Sequence, residues 1–199
     1  MFMQDFTRFA PATAVTAAEV LLAPVTSGLI AGTLVETAAG WQPVETLRMG
    51  MQVQSLDGGL AKVLGLDRRL LRPEVEQVLV RVPGGAFDAC SDLLLLPGQH
   101  VLIDTLEDAR LSDDIFALIP AMALLGAQGV SRHLARAAIE VITPLFAEEE
   151  VIYANSGVLL HCPGIAEGAG SRPDAGFFPR LDLAAARAFL LRRAGRLAA

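Results

Sequence analysis

The stretch Gly32-Thr33-Leu34-Val35-Glu36-Thr37-Ala38-Ala39-Gly40-Trp41-Gln42-Pro43-Val44-Glu45, with Met49-Gly50-Met51-Gln52-Val53-Gln54-Ser55 behind it, decides the fold. Thr33 to Thr37 is rich in residues that suit a pleated, half-buried surface. Ala38-Ala39-Gly40 reads as a turn, and Trp41 to Glu45 as a short second segment. Met49-Gly50 turns the chain again. Met51 to Ser55 then alternates apolar and polar, the pattern of a strand with one buried face. Asp57-Gly58-Gly59 after it is a strong hairpin signal.

The same texture extends outward. Ala61 to Leu66 and Glu76 to Val82 read as strands, the latter closed by Pro83-Gly84-Gly85. Leu93 to Leu96 and Val101 to Asp104 flank Pro97-Gly98. Ala138 to Thr143, Val151 to Ala154 and Val158 to Leu160 follow, with Asn155-Ser156-Gly157 as a turn. Short strands at close spacing with Gly and Pro between them predict an all-β body. Asp113 to Ala138 is less β-like, and Ile119 to Leu125 predicts a short helix with Pro120 near its start. Past a glycine-rich run, Gly164 to Gly176, Asp182 should cap a helix from Leu183 to Arg193. Leu183, Ala186, Leu190 and Leu191 would share its inner face. The expected division is an arm over 1–25, a β domain over 26–164, and a linker with a terminal helix over 165–199.

Bulk properties narrow the functional classes. A chain of 199 residues suits one domain with short appendages. Its apolar content is 53% and its mean hydropathy +0.47, yet no apolar block is long enough to span a membrane. The net charge of -6 argues against general nucleic-acid binding, which needs a basic face. Arg187, Arg192, Arg193 and Arg196 cluster near the end, as on the solvated face of a helix. Two cysteines, Cys90 and Cys162, make no disulfide framework. The start lacks the basic, apolar and small-residue succession of a secretory signal, which leaves cytoplasmic residence or signal-independent export. No phosphate loop ending in Lys-Ser/Thr is present, so no cofactor is expected, and the nucleophile motif Gly-x-Ser-x-Gly is missing too. A protein partner and the oligomeric state are left open.

The opening block, Gly32 to Val53, resembles that of Hint domains, the module shared by inteins and hedgehog autoprocessing domains. Val151-Ile152-Tyr153-Ala154-Asn155 with Gly157-Val158-Leu159-Leu160-His161 resembles the family's closing block. The likeness runs from about Ser27 to Pro163, and bacterial domains of the Hint_2 type are the nearest kind. They too tend to carry an Arg/Ala/Leu-rich tail like Leu181 to Leu191. The resemblance implies a Hint β fold and an acyl-shift chemistry. In active members a Cys or Ser opens the block and attacks the carbonyl before it. A middle-block His gives a proton to the departing nitrogen, and in splicing members a closing His and a terminal Asn finish the reaction.

Position by position, the reactive groups are depleted. Aligned on Gly32-Thr33, the nucleophile falls at Gly28, which has no side chain. Ser27 lies one residue upstream, and a one-residue slip in an extended segment reverses the face. The middle block maps to Leu96-Pro97-Gly98-Gln99-His100. Without a gap Gln99 takes the family's His position; with Gly98 as an insertion, His100 does. A histidine that merely bonds a nearby carbonyl at a strand entry is the structural alternative for His100. His161 matches the closing His, but Cys162 stands where splicing needs Asn, so cyclisation cannot occur there. Asn155 reads as a turn residue that tolerates left-handed backbone. The expectation is therefore a Hint scaffold with a degenerate site, acting as a structural or protein-interaction module. Two rivals remain: self-cleavage from Ser27 helped by His100 or His161, and a metal site at His100, His161 and Cys162. The acidic run Glu148-Glu149-Glu150 reads as a solvated hairpin tip.

Overall fold

The computed structural model describes residues 25–57, 59–72, 77–105, 115–165 and 177–197. Most of the expected arm, most of the glycine-rich run and Gly58 of the hairpin signal lie outside these residues. In chain order the strands begin with β1 (Leu29–Ile30), β2 (Leu34–Thr37), β3 (Gly40–Pro43), β4 (Gln52–Ser55) and β5 (Gly59–Lys62). Next come β6 (Gly65–Leu71), β7 (Gln77–Val82), β8 (Leu93–Leu95), β9 (His100–Asp104) and β10 (Phe116–Pro120). The last are β11 (Ser131–Ala135), β12 (Ile139–Leu145), β13 (Glu150–Ala154) and β14 (Val158–Cys162). One helix, α1 (Leu183–Leu197), ends the described chain.

The strands form two antiparallel sheets. One runs β11-β7-β8-β1-β12-β6, the other β10-β9-β14-β13-β2-β4-β5 with β3 paired to β2. The β2–β3 and β4–β5 hairpins come straight from the opening stretch: Thr37 pairs with Gly40 and Ser55 with Gly59. Alternation sets the faces. Val35 and Thr37 of β2 and Val53 and Ser55 of β4 point inward, and the residues between them do not. The main core joins both sheets through Leu29, Val35, Val53, Val101, Ile119, Ile142, Ile152 and Leu160. Fully burying such a side chain is worth about 2 kcal/mol.

Three expectations change. Ile119 belongs to β10 and only a 3-10 turn, Ala121–Leu124, replaces the predicted short helix. Pro120 is extended (φ -68°, ψ 138°), and a proline also pushes the residue before it out of the helical region. The stretch from Asp113 to Ala138 contains β10 and β11, and β11 is exposed along almost its whole length, so no alternation marks it. On α1 the buried residues are Ala186, Phe189 and Leu190, while Leu191 is 75% exposed. The Asp182 cap is as expected: Oδ1 accepts from the Ala185 N–H at 2.8 Å. β12 also runs through Pro144. β1 pairs only with Val141 and Ile142, so the missing N–H falls where no neighbour needs it.

Candidate functional site

β1, the Leu96–Gln99 turn and β14 converge on one backbone amide, that of Gly28. The turn is closed by the Gln99 N–H donating to the Leu96 carbonyl at 3.0 Å, and the Gly98 N–H reaches back to the Thr26 carbonyl at 2.8 Å. Gly28 N–H donates to Gln99 Oε1 at 2.8 Å. The amide nitrogen of Gln99 donates to the carbonyls of His161 (2.9 Å) and His100 (3.1 Å). Two acceptors for Nε2 fix which end of the amide faces Gly28. Gln99 is 2% exposed, and both ends of its buried amide are hydrogen-bonded.

Gly28 has no room for a side chain unless β12 side chains shift. Its φ is +120°, a conformation that favours glycine. A Cβ placed there would lie 2.5 Å from Val141 Cγ1 and 2.8 Å from Thr143 Oγ1 of β12. Ser27 beside it is exposed. Of the competing middle-block residues, Gln99 is the one whose side chain reaches Gly28. The His100 ring turns instead to His161, edge-on with centroids 6.1 Å apart.

His161 sits in a different cluster. Its Nε2 is 3.1 Å from Glu149 Oε2 and 3.2 Å from an Arg180 guanidinium nitrogen, which is itself 2.8 Å from the same carboxylate oxygen. The His161 and Glu149 side chains are 10% and 9% exposed. Burial, helped by the Arg180 charge and opposed by Glu149, pushes the His161 imidazole down to about 4. A neutral ring can donate from Nε2 to Glu149 or accept there from Arg180, not both. Burial pushes the Glu149 carboxyl up, but the Phe177 N–H, Arg180 and His161 outweigh it and hold the group below its usual range. His100 is lowered as well, by burial first and Arg180 second.

The structure thus brings together Gly28 with Gln99, and His100 with His161. It gives neither imidazole a hydrogen bond to Ser27 or Gly28. The metal trio does not converge: His161 and Cys162 point to opposite faces of β14, and burial pushes the Cys162 thiol far up. Among the described residues no group of three or more His, Cys, Asp or Glu is placed to hold a metal. Both cysteines are free, Cys90 exposed and Cys162 buried. Of the acidic run only Glu148 is an exposed tip residue; Glu149 is in the cluster above and Glu150 accepts from the Ser55 hydroxyl. Glu149 and Arg180 carried no spacing signal. Phe177-Phe178-Pro179-Arg180-Leu181, packed between a glycine-rich run and a helix cap, was the visible hint of the latter.

A two-sheet β domain whose first strand, middle turn and closing strand meet at one buried amide is the class defined here. The chain belongs to the Hint domain family: the Hint_2 model, described as a Hint domain, matches residues 27–159. Similar solved structures include a bacterial intein-like domain from Clostridium thermocellum, 14% identical, covering 68% of this chain and 98% of that one with a TM-score of 0.46. The gp41-1 intein is 12% identical and covers 68% and 98%, with a TM-score of 0.42. No curated protein matches the chain in sequence. Among the described residues no helix is long and apolar enough to cross a membrane.

Proposed function

We propose that this chain is a Hint-fold domain that does not cut its own backbone and serves as a structural or protein-interaction module. The observation that carries the reading is the sealed slot at Gly28. No attacking atom is present, and β12 fills the space where one would project. The proton donor is missing too. Gln99 stands at the family's His position in this reading, and its Oε1 can only accept from the Gly28 N–H. An amide has no proton to give a departing nitrogen near neutral pH. The terminal Asn of splicing members is replaced by Cys162, whose buried thiol is held protonated.

One contact favours the rival. The Thr26 carbonyl, which Ser27 would attack, accepts the Gly98 N–H at 2.8 Å, a donor suited to polarising it. Neither His100 nor His161 serves Ser27 as a base, however, since their rings face each other and Glu149, and a serine needs a base. The two readings separate cleanly. A marker protein fused upstream is incubated with and without hydroxylamine or thiol, and intact mass is followed. The expected result is an uncut fusion. Release of the marker at residues 26–28, abolished by Ser27→Ala, would overturn the silent reading.

A further inference from the structure

We propose that the outer edge of β10, with the Glu149–His161 pair beside it, is a recognition groove for an extended peptide bearing an aromatic residue two places before an arginine. In this structure the chain's own Phe178-Pro179-Arg180-Leu181 fills it. The inference rests on the interaction-module reading above and names the site and the partner chemistry.

β10 is the last strand of its sheet, so its outer edge offers unpaired backbone groups. The tail takes them by strand addition. The Leu118 N–H donates to the Pro179 carbonyl at 2.8 Å, and the Leu181 N–H donates to the Leu118 carbonyl at 2.9 Å, as a parallel bridge centred on Arg180. Residues two apart on an extended chain share a face. Phe178 accordingly packs on the buried cluster of Leu102, Leu118 and Val151. Arg180 reaches the Glu149 carboxylate at 2.8 Å, and that carboxylate side chain is 9% exposed. Backbone pairing for affinity and alternate side chains in separate pockets for specificity is the logic of peptide recognition at a sheet edge. β10 and Glu149 lie within the family match, which ends at residue 159 inside β14, while His161 and the bound segment follow it.

A segment tethered in cis presents itself at about millimolar effective concentration, so it must be removed before a partner can be measured. In the full chain, residues 177–181 are replaced by a Gly-Ser run of equal length, with α1 retained. The probe is a fluorescent peptide Gly-Phe-Phe-Pro-Arg-Leu-Asp. It should bind this chain saturably and the wild type not at all at the same concentrations. Arg→Ala in the peptide, or Glu149→Gln in the chain, should weaken binding at least about tenfold, the loss expected for one charge-assisted anchor. No saturable binding by a folded chain, or binding indifferent to the arginine, overturns the proposal. Should the replacement fail to fold, Arg180→Ala leaves the backbone pairing in place and empties the guanidinium position. Millimolar ethylguanidinium should then raise the melting temperature of Arg180→Ala saturably, and not that of Arg180→Ala with Glu149→Gln. Absence of that rise overturns the proposal equally. Neither readout involves backbone cleavage, so the groove and the silent site can fail separately.

Discussion

Two polar regions of this molecule, the Gly28 slot and the His161 cluster, are held together in different ways. Around Gly28 the polar groups are neutral and paired: an amide side chain, three backbone partners and no space. Around His161 the charges remain, with a carboxylate and a guanidinium packed on the ring. The first region keeps its geometry by hydrogen bonding, the second by an ion pair that is mostly buried. The first region carries no charge, whereas in the second Arg180, from the segment before α1, is a partner of Glu149.

That contrast is most directly broken at Glu149. Glu149→Ala removes the acceptor of Phe177, Arg180 and His161 together, and takes a carboxylate away from a guanidinium that is only 26% exposed. Breaking one side of a buried pair costs about 3–5 kcal/mol, and partial exposure of Arg180 puts this case near the lower end. Denaturant unfolding should report about 3 kcal/mol, with Glu149→Gln milder because its carbonyl oxygen still accepts from Phe177.

Acid should reach the same cluster. The folded-state His161 value of about 4 lies below its ordinary 6.5, so the unfolded chain binds the proton more readily between them. The associated stability is complete above about pH 6.5 and falls as pH drops towards 4, by up to about 3 kcal/mol. The lowered Glu149 value adds a loss of the same sign at still lower pH. Unfolding free energy measured across this window should slope downward with acid. His161→Gln should flatten the part between pH 6.5 and 4; an unchanged slope would mean the imidazole titrates normally.

How far the sequence went can be judged from the same two regions. The scaffold was readable because glycine turns and alternating strands are local signals: Gly40, Gly50 and the Met51–Ser55 alternation fix two hairpins without long-range information. Gly28 as an empty nucleophile position was readable by alignment to neighbouring motifs. Its closure by Val141 and Thr143 was not, since β12 is more than a hundred residues away in the chain. That the Gln99 side chain, and not the His100 ring, turns to Gly28 depends on side-chain direction at a turn, which spacing cannot supply. Glu149 looked like a solvated acid because its partners, Arg180 and Phe177, come from a segment beyond the last strand. β11 escaped notice because an exposed ribbon has no buried face to impose a period.

The Gly28 slot can be challenged by refilling it. Gly28→Ser restores the family's class of attacking atom but forces a Cβ onto Val141 and Thr143 at a positive φ. Overpacking and left-handed strain each cost about 1–3 kcal/mol. A loss of about 2–3 kcal/mol in thermal or denaturant unfolding is expected, with no upstream cleavage. Cleavage by this variant would mean that β12 yields easily and that the slot is merely vacant.

The smallest effect belongs to the residue that ties the slot together. Gln99→Leu keeps the volume but removes the partner of the buried Gly28 N–H and of two partly buried carbonyls. Leaving buried polar groups unsatisfied costs about 1–3 kcal/mol, and the two carbonyls can find some compensation, so about 2 kcal/mol is expected. Hydrogen exchange gives the sharper test. The Gly28 amide should be protected in the wild type to nearly the level of global unfolding and should exchange much faster in Gln99→Leu, while the amides paired between β13 and β14 stay protected. Gln99→Glu distinguishes bonding from shape: a carboxylate still accepts from Gly28 but cannot donate to the His100 and His161 carbonyls. Its stability should therefore fall at neutral pH and partly return as acid protonates the new carboxyl and restores a donor. If Gln99→Leu left both stability and Gly28 exchange unchanged, the amide network would be incidental, and packing by β12 alone would be what keeps the slot shut.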